Sequence, residues 1–323
     1  MAPAVASVDM GAPPTLYPVV GGERLAQARR VGLAPGSYNP LTLAHVALVE
    51  AARATAHLDA IIWAFAGVTV DKERVTRASL VDRLTQLAAY LDWQRTAGRA
   101  GNSTGDTLAL LNRGLYVDQA RAVRARLAPD AQLFILVGFD KIVQIFDPQY
   151  YEDRNDALHE LFAEAELLVA PRARQGAEAL QELLAQPENA RFAAHVAYLP
   201  LAREYATDSS TEARRRAAGL ARVTDVQQAS RDLLPPEAVA LIEQRPYAPA
   251  SPDDPYTVRQ AWISALDGVA GETLDHMPPL SQLVTLAGEA SARGSRIRSW
   301  LRASPAERAP TDPLALLREV GAL

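Results

Sequence analysis

The residues richest in chemistry lie in one ten-residue string, Gly36-Ser37-Tyr38-Asn39-Pro40-Leu41-Thr42-Leu43-Ala44-His45. It follows a short apolar run, Val31–Ala34, and opens a helical pattern near Val46. A strand, a turn of small residues and a helix with a histidine in its first turn together make an anion site. The free N–H groups and positive dipole end of the helix attract phosphate, and a nearby imidazole adds a hydrogen bond. Gly36 permits backbone geometry that other residues resist, and it removes a side chain where a ligand would approach. Thr42 is the expected N-cap of the helix. Taken alone, His45 is explained as well by capping or packing as by a ligand; the string around it is what points to phosphate.

A second helix start, Ser209-Ser210-Thr211-Glu212-Ala213-Arg214, has the same character. Its Ser209-x-x-Glu212 spacing is a capping box, which accounts for those two residues without a ligand. The surplus hydroxyls and the run Arg214-Arg215-Arg216 are not accounted for in that way. Cations at a helix N-terminus oppose the dipole unless an anion is present. Gly138-x-Asp140 follows the apolar run Gln132–Val137, and a carboxylate in that place can accept hydrogen bonds from ribose hydroxyls. Lys72, flanked by Asp71 and Glu73, reads either as a solvated loop lysine or as a phosphate ligand. Tyr150-Tyr151 reads either as core or as a flat face for a planar base.

Other chemistries lack their parts. The chain has no G-x-x-x-x-G-K-[ST] phosphate loop, no G-x-G-x-x-G fingerprint and no G-x-S-x-G elbow. His57, His159, His195 and His276 are scattered, with none at metal-ligand spacing.

The elements that must position these residues alternate from Arg29 to about Tyr247. Strands are expected at Val31–Ala34, Ala60–Phe65, Thr107–Leu111, Gln132–Val137, Leu167–Ala170 and Val196–Leu199. Helical spacing runs from Val46 to near Leu58 and over Leu80–Leu91, Asp118–Leu127, Ala157–Ala163 and Ala177–Ala185. Continuous apolar strands alternating with helices predict an α/β, Rossmann-like domain, a parallel sheet with helices on both faces. In such sheets ligands bind beyond the carboxyl ends of the strands, where strand order reverses. The loops after the first strand and after Gln132–Val137 are the expected walls of that crevice.

Around Ala248–Pro255 the composition turns rich in Pro and Asp, which predicts a linker. Beyond it the pattern is helical, with Val258, Ala261, Trp262 and Ala265 on one face and Leu280, Leu283, Val284 and Ala287 on another. Ile297, Trp300 and Leu301 mark a third helix, and Pro313–Val320 a fourth. The expected organisation is a flexible N-terminal tail over 1–25, the sheet domain over 26–250 and an all-α extension over 251–323. Met1–Pro18 lacks the positive start and apolar core of a signal peptide, and no run of about 18 apolar residues predicts a membrane span. The 323 residues hold no cysteine, which excludes disulfides and thiolate catalysis and fits a reducing, cytoplasmic setting. A net charge of −5 argues against bulk nucleic-acid binding while leaving room for a local basic pocket.

With Gly36-Ser37-Tyr38-Asn39-Pro40-x-Thr42-x-x-His45 and Ser209-Ser210-Thr211-x-x-Arg214 in view, the chain resembles the nucleotidyltransferase superfamily. It is most similar to the nicotinamide/nicotinate mononucleotide adenylyltransferases of the eukaryotic type, whose motifs read G-S-F-N-P-x-T-x-x-H and S-S-T-x-x-R. Gly138-x-Asp140 matches a third motif, and Leu234-Pro235-x-x-Ala238-Val239-x-x-Ile242 resembles the helix that ends the catalytic domain, so the resemblance spans about residues 28–247.

The resemblance implies that ATP, with Mg2+, is attacked in line at its α-phosphorus by the phosphate of nicotinamide or nicotinate mononucleotide. NAD or its deamido form and pyrophosphate would result. It implies that His45 and Arg214 are catalytic. ATP would be bound by Gly36, Ser37, Tyr38, His45, Gly138, Asp140, Ser209, Ser210, Thr211 and Arg214. Ser37, Tyr38, Lys72 and Tyr151 would bind the mononucleotide, with Tyr151 where relatives place a tryptophan that stacks on the pyridine ring. Departures from the pattern are Asp208 in a position usually apolar, Tyr38 for phenylalanine, and the lack of a second stacking tryptophan after Lys72, Trp93 being too near. Three readings stay open: adenylyl transfer to the pyridine mononucleotide, nucleotidyl transfer with another phosphomonoester or with CTP, and a nucleotide-binding regulatory protein. The extension packs on the domain, mediates self-association or binds a partner.

Overall fold

Among the described residues, seven strands form one sheet. They are β1 (Leu16–Val20), β2 (Arg30–Pro35), β3 (Ala60–Ala66), β4 (Thr107–Leu111), β5 (Gln132–Gly138), β6 (Glu166–Ala170) and β7 (Val196–Tyr198), in the order β1-β4-β3-β2-β5-β6-β7. All neighbours are parallel except β1, which runs antiparallel to β4. The computed structural model describes residues 1–66, 80–96, 105–172, 175–202, 205, 210–217, 228 and 234–235. In the C-terminal part it describes residues 258, 261–262, 265–266, 269, 273, 276–278, 280–308 and 310–323.

The helices among the described residues are α1 (Ala2–Ala6), α2 (Leu43–Ala56), α3 (Leu80–Thr96), α4 (Tyr116–Arg124), α5 (Phe139–Phe146), α6 (Arg154–Glu164), α7 (Ala177–Ala185) and α8 (Ser210–Ala217). After them come α9 (Leu280–Gly288), α10 (Ala292–Arg302), α11 (Pro305–Arg308) and α12 (Pro313–Glu319). The α/β class read from the alternation is the fold observed.

The apolar strands are buried on both faces, as a covered parallel sheet requires. On one face Val31, Leu33, Ile62, Ala64, Ile135 and Val137 pack with α4, α5 and α6 through Val123, Ile142 and Leu161. On the other, Ile61, Trp63, Phe65, Leu108 and Leu110 pack with Val49 and Ala52 of α2 and with Leu84, Leu87 and Leu91 of α3. Successive residues of β3 thus serve opposite cores, the period-two consequence of a strand buried on both sides.

Strand order reverses between β2, which pairs with β3 on one side, and β5 on its other side. The crevice at such a switch point is where open α/β sheets bind ligands. It is flanked here by the loop after β2 and the start of α5 after β5. Arg53 of α2 donates to Asp106 at 2.8 and 2.9 Å, while Asp106 also accepts from the Ile61 N–H at 3.1 Å. Burial pushes the Asp106 carboxyl up and Arg53 pulls it back down. This interaction fixes the far end of the helix that carries His45.

Within residues 1–25, expected as a flexible tail, Leu16–Val20 form the edge strand β1 of the sheet. Leu16 is fully buried and sits opposite Leu111 of β4. The Asn112 side chain accepts from the Thr15 N–H at 2.8 Å and donates to the carbonyls of Asp9, Ala12 and Pro13 at 3.0–3.1 Å. The physical reason is the edge: without β1, β4 would present an unpaired row of N–H and C=O groups. Pro18 does not prevent pairing because β1 is itself an edge strand, where proline is tolerated.

The helical extension has its own core. Val258, Trp262, Leu283, Ala287, Ile297, Trp300, Leu316 and Leu317 form one buried cluster, and the Trp262 indole N–H donates to the Leu283 carbonyl at 3.1 Å. The expected linker around Ala248–Pro255 and the helix expected to end the catalytic domain lie outside the described residues, apart from Leu234 and Pro235. Among the described residues, no helix is long and apolar enough to cross a membrane.

Candidate active site

At the carboxyl ends of β2, β5 and β6 lies a cleft of about 320 Å³. Its walls bring together Gly36, Ser37, Tyr38 and His45 from the first motif, Gly138 and Asp140 from the third, and Ser210, Thr211 and Arg214 from the second. The loop after β2 and the first turns of α5 and α8 therefore converge as the motif reading required.

His45 occupies the third position of α2. The Thr42 N–H donates to His45 Nδ1 at 3.0 Å, and the Thr42 hydroxyl lies 2.7 Å from the same nitrogen. This is the reciprocal capping arrangement with an imidazole in the place of the usual Glu or Gln. With Nδ1 accepting, the proton of the neutral ring sits on Nε2. Burial, and then the charge of Arg172, lower the His45 pKa to about 4. At neutral pH the ring is uncharged and has one N–H to offer. Capping uses Nδ1 and leaves Nε2 free of that role, so the two explanations opposed when the residue is considered alone are compatible in one ring.

Tyr38 is buried, with φ at 41°, and its hydroxyl donates to the Ala34 carbonyl at 2.5 Å. Burial pushes that hydroxyl far above its ordinary range. Its ring packs edge-on against His45 and Phe65, with both centroids 5.1 Å away. Gly36 lies under this ring: a Cβ there would stand 2.8 Å from Tyr38 Cζ. The need for glycine at 36 is thus one of space, not of the backbone freedom expected from the motif. At Gly138 a Cβ would stand 2.8 Å from an Asp140 carboxylate oxygen, so the carboxylate folds back over the strand end.

The second motif docks on the first. Ser210 Oγ donates to the Pro40 carbonyl at 2.8 Å, and the Arg214 guanidinium donates to the Asn39 carbonyl and, at 3.1 Å, to Thr211 Oγ1. Glu212 forms an ion pair with Arg216 at 2.9 Å, which gives both a structural partner. Ser209, Asp208 and Lys72 lie outside the described residues. Tyr151 is described but does not line the cleft; its hydroxyl donates to the Ile145 carbonyl at 2.9 Å, and burial pushes its pKa up to about 12.

The motif reading missed Tyr116, Lys141, Arg172 and Tyr205, all of which line the cleft. Arg172 lies just past the end of β6 as Asp140 lies just past the end of β5, so the rule that ligands sit at strand ends was a signal for it. Lys141 directly follows Asp140. Burial and the charge of Asp140 push the Tyr116 hydroxyl up, which places the two groups within electrostatic reach. Among the described residues, Lys141, Arg172 and Arg214 against the one carboxylate of Asp140 make the lining of the cleft cationic, in a chain of net charge −5. Such a cleft focuses anions.

The model of the family described as cytidylyltransferase-like matches residues 33–216. A probable nicotinate-nucleotide adenylyltransferase of Synechococcus sp. is 31% identical over 158 residues, covering 46% of this chain and 67% of that protein. One of the same name from Gloeobacter violaceus is 29% identical over 217 residues, 67% of this chain and 94% of that protein. Among solved structures, nicotinic acid mononucleotide adenylyltransferase of Plasmodium falciparum complexed with NaAD is similar with a TM-score of 0.46 at 13% identity. That match covers 67% of this chain and 96% of that one.

Proposed function

The chain belongs to the cytidylyltransferase-like nucleotidyltransferase superfamily, and from that premise we propose that it transfers the adenylyl group of ATP to nicotinate or nicotinamide mononucleotide. A phosphate oxygen of the mononucleotide attacks the α-phosphorus of ATP, the bond to the bridging oxygen breaks, and pyrophosphate leaves. The observation that carries this reading is the convergence of two helix N-termini, those of α2 and α8, on one cationic cleft at the switch point. The names of the relatives support a pyridine mononucleotide as the acceptor, nicotinate before nicotinamide.

Phosphoryl-type transfer needs positioning and charge stabilisation more than a protein nucleophile. In the proposed assignment His45 donates its Nε2–H to the phosphates and to the developing charge on pyrophosphate. Arg214, Ser210 and Thr211 hold the β- and γ-phosphates at the start of α8. Arg172 and Lys141 add positive charge to the same cleft, and Asp140 accepts from ribose hydroxyls. Ser37 and Tyr38 sit where both substrates meet. Lys72 keeps the role implied by the resemblance, binding the acceptor phosphate, whereas Tyr151, which does not line the cleft, is left without a role in this assignment.

The donor set fits a divalent cation that arrives with the nucleotide. Asp140 is the one carboxylate lining the cleft among the described residues, and no group of three or more His, Cys, Asp or Glu able to hold a metal occurs among them. Magnesium keeps several waters and binds through substrate phosphates with one or two carboxylates. Mg2+ bound to ATP would offset the negative charge of its phosphates. The test is pyrophosphate release by purified protein with ATP and Mg2+ against both mononucleotides, with CTP and unrelated phosphomonoesters as further arms. Release only with CTP, or only with another acceptor, would replace the proposal by the broader nucleotidyl-transfer reading.

A further inference from the structure

We propose that Arg83 and Gln86 of α3 are positioning residues of this site, gripping the Gly36–His45 turn from beneath so that it meets substrate phosphate. The proposal rests on the adenylyl-transfer reading above. Arg83 is only 8% exposed and Gln86 only 4%, in a helix whose core face is otherwise Leu84, Leu87, Tyr90 and Leu91. Arginine is rarely buried without a specific partner, because removing its charge from water is costly.

Here the guanidinium donates to the Ser37 carbonyl at 2.6 Å and lies over the Phe65 ring, 5.5 Å from its centroid. Gln86 Oε1 accepts from the Leu41 N–H at 3.3 Å. The two hydrogen bonds bracket Tyr38, whose φ of 41° is a backbone state that a ring-bearing residue holds only when its surroundings over-determine it.

The consequence for chemistry follows from peptide geometry. The Ser37–Tyr38 bond is trans, so its N–H points opposite its C=O. With the carbonyl drawn to Arg83, the Tyr38 N–H is turned away from α3, and Ser37, Tyr38 and Asn39 all line the cleft. The same support reaches the imidazole. Arg83 covers Phe65, Phe65 packs edge-on against Tyr38, and Tyr38 packs edge-on against His45. A guanidinium that need not touch substrate thereby sets both a backbone donor and the ring that does.

The test compares wild type with Arg83→Met, Arg83→Lys and Gln86→Leu. It measures far-UV circular dichroism and melting temperature, kcat and KM for each substrate, and ATP affinity by calorimetry. Methionine fills the space of arginine without its donors. Displacing a substrate-positioning group by an ångström costs up to about 100-fold. Folded Arg83→Met is therefore expected to fall about 10- to 100-fold in kcat/KM, with weaker ATP binding at an unchanged folded fraction. Arg83→Lys, whose ammonium can reach the same carbonyl, is expected to recover part of the loss.

Folded Arg83→Met with wild-type kcat/KM and ATP affinity overturns the proposal, as does a loss no larger than the unfolded fraction. If Arg83→Met does not fold, Gln86→Leu reads the same grip, and an unchanged kcat/KM and affinity there overturns it. Wild-type protein that binds ATP yet adenylates neither mononucleotide defeats the acceptor reading alone, and the grip is then judged on ATP affinity.

Discussion

The guanidinium of Arg214 donates a hydrogen bond to the backbone carbonyl of Asn39, across 175 positions of chain. Together with Ser210 Oγ on the Pro40 carbonyl, this ties the start of α8 to the turn that precedes α2. The spacing between two phosphate-attracting helix ends is thus set by the protein's own hydrogen bonds, so a triphosphate would meet a clamp already assembled. Electrostatic preorganisation of this kind is what transfer of a charged group requires.

Removing the guanidinium therefore removes both the tie and a charge. Arg214→Ala is expected to weaken use of ATP by about 2–4 kcal/mol, the range for deleting a charge-assisted hydrogen bond to phosphate in a closed site. Arg214→Lys should recover only part, because lysine cannot serve the carbonyl and a phosphate with one planar fork. The check is kcat/KM for ATP in both variants; a wild-type value for Arg214→Ala would remove the residue from the site.

The two nitrogens of His45 can be separated by substitution. Glutamine at the third helical position can still accept from the Thr42 N–H, whereas alanine cannot. His45→Ala is expected to lose about 1 kcal/mol of stability with the cap as well as activity. His45→Gln should keep most of the stability and still lose transfer activity, by about 100-fold or more. Thermal melts paired with pyrophosphate release distinguish the outcomes, and a fully active His45→Gln would reduce the histidine to a cap.

The same residue predicts a pH dependence of stability. The unfolded chain protonates this histidine near pH 6.5, the folded protein only near pH 4. Between those values the unfolded state binds more protons, so stability falls as pH drops through the window and is unaffected by this group above it. Urea unfolding of wild type and His45→Gln from about pH 7.5 to about pH 4.5 should show a steeper decline in wild type. Parallel curves would contradict the burial argument.

Gly36 and Gly138 are both crowded, but by different things. A Cβ at 36 meets the ring of Tyr38, which Phe65, Trp63 and His45 hold in place. Gly36→Ala is expected to cost about 1–3 kcal/mol of stability, the range for overpacking, and to lower activity by shifting the turn. A Cβ at 138 meets the free end of the Asp140 side chain, which can swing aside. Gly138→Ala should leave the melting temperature nearly unchanged while raising the KM for ATP. Equal losses of stability in the two variants would sink the distinction.

Local sequence carried the sheet well because its strands are continuous and apolar. Thr107–Leu111 and Ala177–Ala185 form over the residues that their patterns predict. It carried the motifs because a helix start has local chemistry: a cap, hydroxyls and a misplaced cation. It did not carry β1, since Leu16-Tyr17-Pro18-Val19-Val20 becomes a strand only by pairing with β4, which lies far along the chain. Nor did it carry Arg83, Tyr116 or Arg172. Nothing in the sequence around Arg83 and Tyr116 marks them, and Arg172 is marked only by its place past the end of β6; their roles arise from what tertiary packing brings against Ser37, Asp140 and His45.

Adenylyl transfer from ATP to a pyridine mononucleotide is proposed for the cleft shared by His45 and Arg214. Its most direct measurement is pyrophosphate release by the purified chain with ATP, Mg2+ and nicotinate or nicotinamide mononucleotide, with the dinucleotide quantified in the same reaction. The account predicts equal amounts of pyrophosphate and dinucleotide with at least one of the two acceptors, and loss of both products in His45→Gln and Arg214→Ala. Pyrophosphate release no greater than in those variants, with neither dinucleotide formed, would contradict it.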